Sequence, residues 1–153
     1  MKALPNSIDK RDLLYGAKKA GADTFLTLAK KYEIAGSYSD ALDFFHKAES
    51  ASDLERLRQV FVDEGDAFLL SKLAHFSSDL ITDGDFKKCA AKAESAGKTR
   101  YAILAYERLG DEDKVEALKE SIADDGDIIA EREAETFVAP NLEEIQQLED
   151  EEE

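Results

Sequence analysis

The sequence predicts an all-helical chain of about nine short helices, and three observations carry that prediction. The chain holds 22 Ala and 17 Leu against four Val, and Ala and Leu lose little conformational freedom in a helix. Its two prolines, Pro5 and Pro140, stand near the ends, so the strongest helix breaker is missing from everything between them. Glycines recur beside capping residues, as Gly36-Ser37, Gly65-Asp66, Gly84-Asp85, Gly110-Asp111 and Gly126-Asp127. Glycine tolerates the left-handed conformation that ends a helix, and the Ser or Asp beside it accepts the free N–H groups opening the next.

Taken in order, these breaks delimit helices at 8–20, 23–35, 39–50, 53–64, 66–82, 85–96, 99–109, 112–124 and 127–136. Gly21-Ala22-Asp23 divides the first from the second, and Gly36-Ser37 the second from the third. The next junction, Ser50-Ala51-Ser52, has no glycine; there Ser52-Asp53-Leu54-Glu55 reads as a capping box. Leu54, Leu57, Val60 and Phe61 form one apolar face of the fourth helix. Phe68, Leu69, Leu73, Phe76 and Leu80 do the same for the fifth, with the Lys72 stem lying along them. Gly84, Gly97-Lys98-Thr99, Gly110 and Gly126 close the remaining elements. Joints this short place each helix antiparallel to its neighbour. No stretch alternates apolar and polar residues long enough to form a strand.

An internal repeat is visible at an offset of 45: residues 47–66 (KAESASDLERLRQVFVDEGD) and 92–111 (KAESAGKTRYAILAYERLGD) share seven of 20 positions. The segment 25–48, FLTLAKKYEIAGSYSDALDFFHKA, resembles a tetratricopeptide repeat (TPR). Phe25, Leu28, Ala29, Tyr32, Gly36, Tyr38, Ala41, Phe45 and Ala48 stand at the spacings that family uses. Ala29 and Ala41 let two helices approach closely, and the aromatics fill the space beside them. Asp53 stands where the family usually closes the repeat with proline. Segments around Gly84 (Leu73, Phe76, Ser77, Leu80, Phe86, Cys89, Ala96) and Gly110 (Tyr106, Val115) match the same pattern less fully. Their glycines are 48 and 26 residues apart, where the family repeats at about 34. The resemblance implies a right-handed α-α solenoid, a TPR-like superhelix spanning residues 1–136. It also implies a protein-interaction scaffold whose first helices line a groove. Carried over by position, that groove would present Lys30, Glu33, Ile34, His75, Ser78, Arg100, Leu104 and Arg108. Lys30, Arg100 and Arg108 would make it basic, which suits an acidic or carboxylate-ended peptide.

Charge is unevenly distributed. The net charge is −15, which argues against nucleic acid, since phosphate binding needs a positive surface. Residues 131–153 carry ten acids and Arg132, whereas 1–31 carry seven bases and three acids. The acidic tail, 137–153, contains Leu142, Ile145 and Leu148 at i, i+3, i+6; it reads either as a solubilising tail or as a short helix that docks by this apolar face on the chain's own surface or on a partner. Cys89 is the sole cysteine, so no disulfide forms within the chain, which fits a reducing compartment. No apolar run reaches the length of a membrane span or of a signal-peptide core. The expectation is a cytoplasmic protein.

Catalysis finds little footing. His46 and His75 are the only histidines, and neither stands at a nucleophile–base spacing. Asp124-Asp125-Gly126-Asp127 and Asp83-Gly84-Asp85 resemble pieces of calcium loops but lack the ladder of ligands such loops need. They read as helix stops and caps, and Cys89, among Ala90, Ala91 and Ala93, reads as packing. No metal or cofactor is expected. The function expected is a non-catalytic scaffold or adaptor that binds a peptide or helix of another protein. The alternative is a structural protein that self-associates head to tail through its basic N-terminal and acidic C-terminal ends.

Overall fold

The computed structural model describes residues 4–16 and 20–136, with side chains through 124. Every regular element among them is helical. They are α1 (Ser7–Tyr15), α2 (Ala22–Ile34), α3 (Tyr38–Lys47), α4 (Ala51–Glu64), α5 (Ala67–Phe76), a 3-10 turn (Ser78–Leu80), α6 (Asp83–Ser95), α7 (Thr99–Leu109) and α8 (Glu112–Thr136). None of the described helices is long and apolar enough to cross a membrane. The chain forms two compact units, Met1–Val115 and Glu116–Glu153, and the second begins inside α8.

Eight helices replace the nine expected, because α8 runs through Gly126 without a turn. Glycine inside a helix costs only about 1 kcal/mol relative to alanine, so it breaks a helix only where packing rewards the fold-back. Two other boundaries move. The first helix stops at Tyr15, where the Gly16 amide bonds to the Asp12 carbonyl. The fifth stops at Phe76, and the 3-10 turn takes up the residues expected to continue it.

The capping box expected at Ser52 is not formed. Helix α4 starts at Ala51, with Ser50 as its cap residue and no side-chain cap bond. The reason lies just upstream. Glu49 adopts φ +53 and so supplies the left-handed turn a glycine would make, which starts the helix early. The Ser50 hydroxyl donates to Asp53 at 2.6 Å, while Glu55 is taken by Arg58. A capping box does exist further along the chain, at Thr82 and Asp85, opening α6. Gly84 therefore lies inside the first turn of a helix rather than between two helices.

Within the first unit, α2 packs on α3, and α6 on α7, as tight hairpins. Ala29 and Ala41 are both 0% exposed in the α2–α3 pair, as their size predicts. Tyr32 stacks on Phe44 at 5.3 Å in the same pair. Beyond the hairpins, α3 packs on α4 and α5, α5 on α6 and α7, and α4 on α6. Helices α3, α4 and α5 thus each touch the next helix and the next but one. Helices α4 and α6 run parallel, held at three levels. Arg58 reaches Asp85 at 2.7 Å, the Cys89 thiol donates to the Phe61 carbonyl at 3.9 Å, and Gly65 lies against the Ala93 backbone. The resulting core centres on Leu42, Phe44, Phe45, Leu57, Phe61, Leu70 and Leu73, all fully buried.

Candidate functional site

The helices fall into two rows. In one, α4 packs on α6, and Arg56 of α4 grips Glu33 of α2 with two hydrogen bonds of 2.6 and 2.8 Å. In the other, α3 packs on α5 and α5 on α7. Amphipathic helices paired this way turn their apolar stripes toward each other and leave one outward face each. On the first row that face carries Thr27, Lys30 and Ile34 of α2, Glu55, Arg56, Gln59 and Asp63 of α4, and Lys87, Lys88, Ala91 and Lys92 of α6, all exposed. Ile34 is 87% exposed, the most exposed large apolar side chain described.

Charge along this row is graded. Arg56 is engaged by Glu33 and Asp53, and Arg58 by Glu55 and Asp85. Donating to the Glu33 carboxylate raises the Arg56 guanidinium above its ordinary pKa. Burial alone would raise the Asp85 carboxyl, but the Thr82 amide and hydroxyl, with Arg58, outweigh it and hold the group below its usual range. The bases of α4 are therefore occupied. Lys30 of α2 and Lys87, Lys88 and Lys92 of α6 enter no ion pair among the described residues.

The residues expected to line one groove are divided between the two rows. Lys30, Glu33 and Ile34 lie on α2, and Glu33 is committed to Arg56. His75 lies on α5, Ser78 in the 3-10 turn, and Arg100, Leu104 and Arg108 on α7. Of these, Leu104 is half-buried against the core, and Arg108 lies over the Phe86 ring at 5.7 Å. The division arises because the units around Gly84 and Gly110 take α5 and α7 as their first helices, and these pack on each other. The tail residues Leu142, Ile145 and Leu148 lie outside the described residues. The exposed lysines of α6 were missed, although their spacing at 87, 88 and 92 marks one helix face.

Two of the open clefts among the described residues differ in their lining. One, of about 520 Å³, lies where α4 begins and α5 ends, lined by Ala51, Leu54, Phe76, Ser77, Ser78, Asp79 and Leu80. At its edge the His46 ring stacks on Phe76 at 4.4 Å. The other, of about 430 Å³, lies between α1 and α2 and is lined by Pro5, Leu13, Asp23, Thr24, Thr27, Leu28 and Lys31. Among the described residues, no hydrogen bond joins either histidine to a hydroxyl, thiol or carboxylate. Burial pushes the Cys89 thiol up to about 11, which keeps it protonated and unreactive at neutral pH. Tyr106 donates to Glu94 at 2.6 Å, and that bond raises the phenol to about 12; Lys114 joins the pair at 3.3 Å. These contacts tie α6, α7 and the start of α8 together. No protein-family model, curated protein or solved structure matches the chain.

Proposed function

We propose that the chain is a TPR-like α-α solenoid adaptor that binds a peptide or helix of a partner protein through the outward face of α2, α4 and α6. One observation carries this reading. First-row helices begin at 22, 51 and 83 and second-row helices at 38, 67 and 99, so both rows step by 29 and then 32 residues. The turn glycines keep the same steps. Gly36, Gly65 and Gly97 all have positive φ, between 66° and 77°. In this register the TPR-like positions of the first pair recur as buried residues in the next two: Phe25 with Leu54 and Phe86, Tyr32 with Phe61 and Ala93, Ala41 with Leu70 and Ala102. A repeating unit buries its apolar face only against its neighbours, and the contacts of α3, α4 and α5 with the next helix and the next but one fit such stacking.

The same register defines equivalent outward positions: Thr27 with Arg56 and Lys88, Lys30 with Gln59 and Ala91, Ile34 with Asp63 and Ser95. A partner helix laid across them meets the exposed Ile34 at one end and the lysines of α6 at the other. It therefore fits best with an apolar anchor and an acidic stretch.

Selection from a displayed random-peptide library on the immobilised full chain tests this. Enriched peptides are expected to bind the double variant Ile34→Asp, Lys88→Glu about tenfold more weakly and to bind Arg100→Glu, on the other row, as they bind the parent. Equal binding to the double variant, or loss on Arg100→Glu alone, would reject the first-row face.

A further inference from the structure

Helix α1 begins 31 residues before α3, which continues the second-row step, and α1 packs on α3 as the other second-row helices pack on one another. Helix α1 therefore holds the place of a second helix whose first helix has no counterpart among the described residues. A cleft lies between α1 and α2. Leu13 and Leu28, both half-buried, line it together with Pro5 and Lys31. Lys31 and its neighbour Lys30 enter no ion pair among the described residues, whereas Lys10 on α1 is bound to Asp40. Asp23 is the single acid lining the cleft.

The chain contains a segment of complementary character. Residues 141–153 carry Leu142, Ile145 and Leu148 at helical spacing and seven acids from Glu143 to Glu153. Their apolar spacing matches a floor of Leu13 and Leu28, and their charge matches Lys30 and Lys31. The described chain leaves the first unit after α7, which packs on α5 and α6 rather than beside α1 and α2.

We propose that residues 141–149 of a second copy occupy the cleft between α1 and α2. The proposal rests on the stacked-pair reading above and names one partner for one end of the stack. Each copy has one such cleft and one such segment, so the contact is heterologous and extends copies head to tail. Exposed lysine–carboxylate pairs are screened by solvent and contribute little each. The leucine contacts therefore dominate, and salt weakens the association without abolishing it.

Two measurements on the full chain test it. In sedimentation velocity over a wide concentration range, the parent is expected to associate with rising concentration, and Leu148→Asp to remain a monomer. In fluorescence anisotropy, a labelled synthetic peptide of residues 137–153 is expected to bind a full-length receptor carrying Leu142→Asp and Leu148→Asp. Adding Thr24→Glu and Lys31→Glu to that receptor should weaken the peptide about tenfold at an unchanged melting temperature. A parent that stays monomeric throughout overturns the proposal. So does a peptide that ignores the cleft substitutions but is lost on Lys88→Glu, which would place it on the α6 face. Either failure leaves the library-selected peptides as a separate test of the binding face.

Discussion

At the scale of single residues, close approach and burial decide what each position tolerates. Gly65 has φ +66, and a Cβ there would lie 2.6 Å from the Ala93 amide nitrogen. Left-handed backbone and contact with a neighbouring helix thus coincide, and Gly65→Ala is expected to lower stability by more than about 1 kcal/mol. Glu49 is the opposite case, a non-glycine at φ +53 with an exposed side chain. Glu49→Gly should raise the melting temperature, by about 1 kcal/mol of stability at most. Ala29→Phe should cost about 1–3 kcal/mol by overpacking the α2–α3 crossing. Urea denaturation of the three variants checks all of these signs.

Asp85 makes a pH prediction. Its carboxyl is held below the ordinary 3.8 in the folded chain. A group whose folded pKa is depressed contributes stability above its unfolded pKa and loses it as pH falls through the folded one. Glu94 behaves likewise, lowered first by the Tyr106 hydroxyl, from an ordinary 4.5. Stability is therefore expected to hold from neutral pH down to about 4.5 and to fall below it. Asp85→Asn should be less stable at pH 7 and show a shallower acid decline. A parallel decline in parent and variant would remove Asp85 from the cause.

At the scale of elements, most helix ends were legible because they are written in local chemistry. Gly36, Gly65, Gly97 and Gly110 end helices where expected, and Asp66 caps α5 by accepting the Leu69 amide at 2.9 Å. The errors arose where two residues competed for one role. Ser52 and Ser50 both suit a cap, and only the backbone turn at Glu49 decides between them. Thr82 was hidden because Gly84-Asp85 offered a more obvious stop. Thr82→Ala is therefore expected to cost about 1 kcal/mol and Ser52→Ala less than about 0.5 kcal/mol. Thermal melts of the two variants side by side distinguish them, and equal losses would contradict the cap assignment.

At the scale of the whole molecule, the helical class was legible and the pairing was not. The 45-residue offset matches α4 of one row with α7 of the other, because both end in a left-handed glycine followed by aspartate. The steps of 29 and 32 residues were obscured because buried positions exchange size: Tyr32 corresponds to Phe61 and then to Ala93, and Ala29 to Arg58 and then to Ala90. Arg58 is tolerated at that position because it turns to Asp85 and Glu55. The outward face could not be read until the rows were known, since a lysine's partners depend on which helix lies beside it. By the same register Gly126 stands 29 residues after Gly97, the place of a fourth turn, yet α8 passes straight through it.

Sidedness is the property that most directly separates a binding stack from an inert one. A photo-crosslinking residue placed in turn at Thr27, Gln59 and Ala91 on the first row, and at Lys47, Phe68 and Arg100 on the second, measures it in the cells the protein comes from. The expected result is one shared adduct from the three first-row positions and none of it from the second row. Adducts concentrated on the second row, or no adduct above background from either, would contradict binding through the face of α2, α4 and α6.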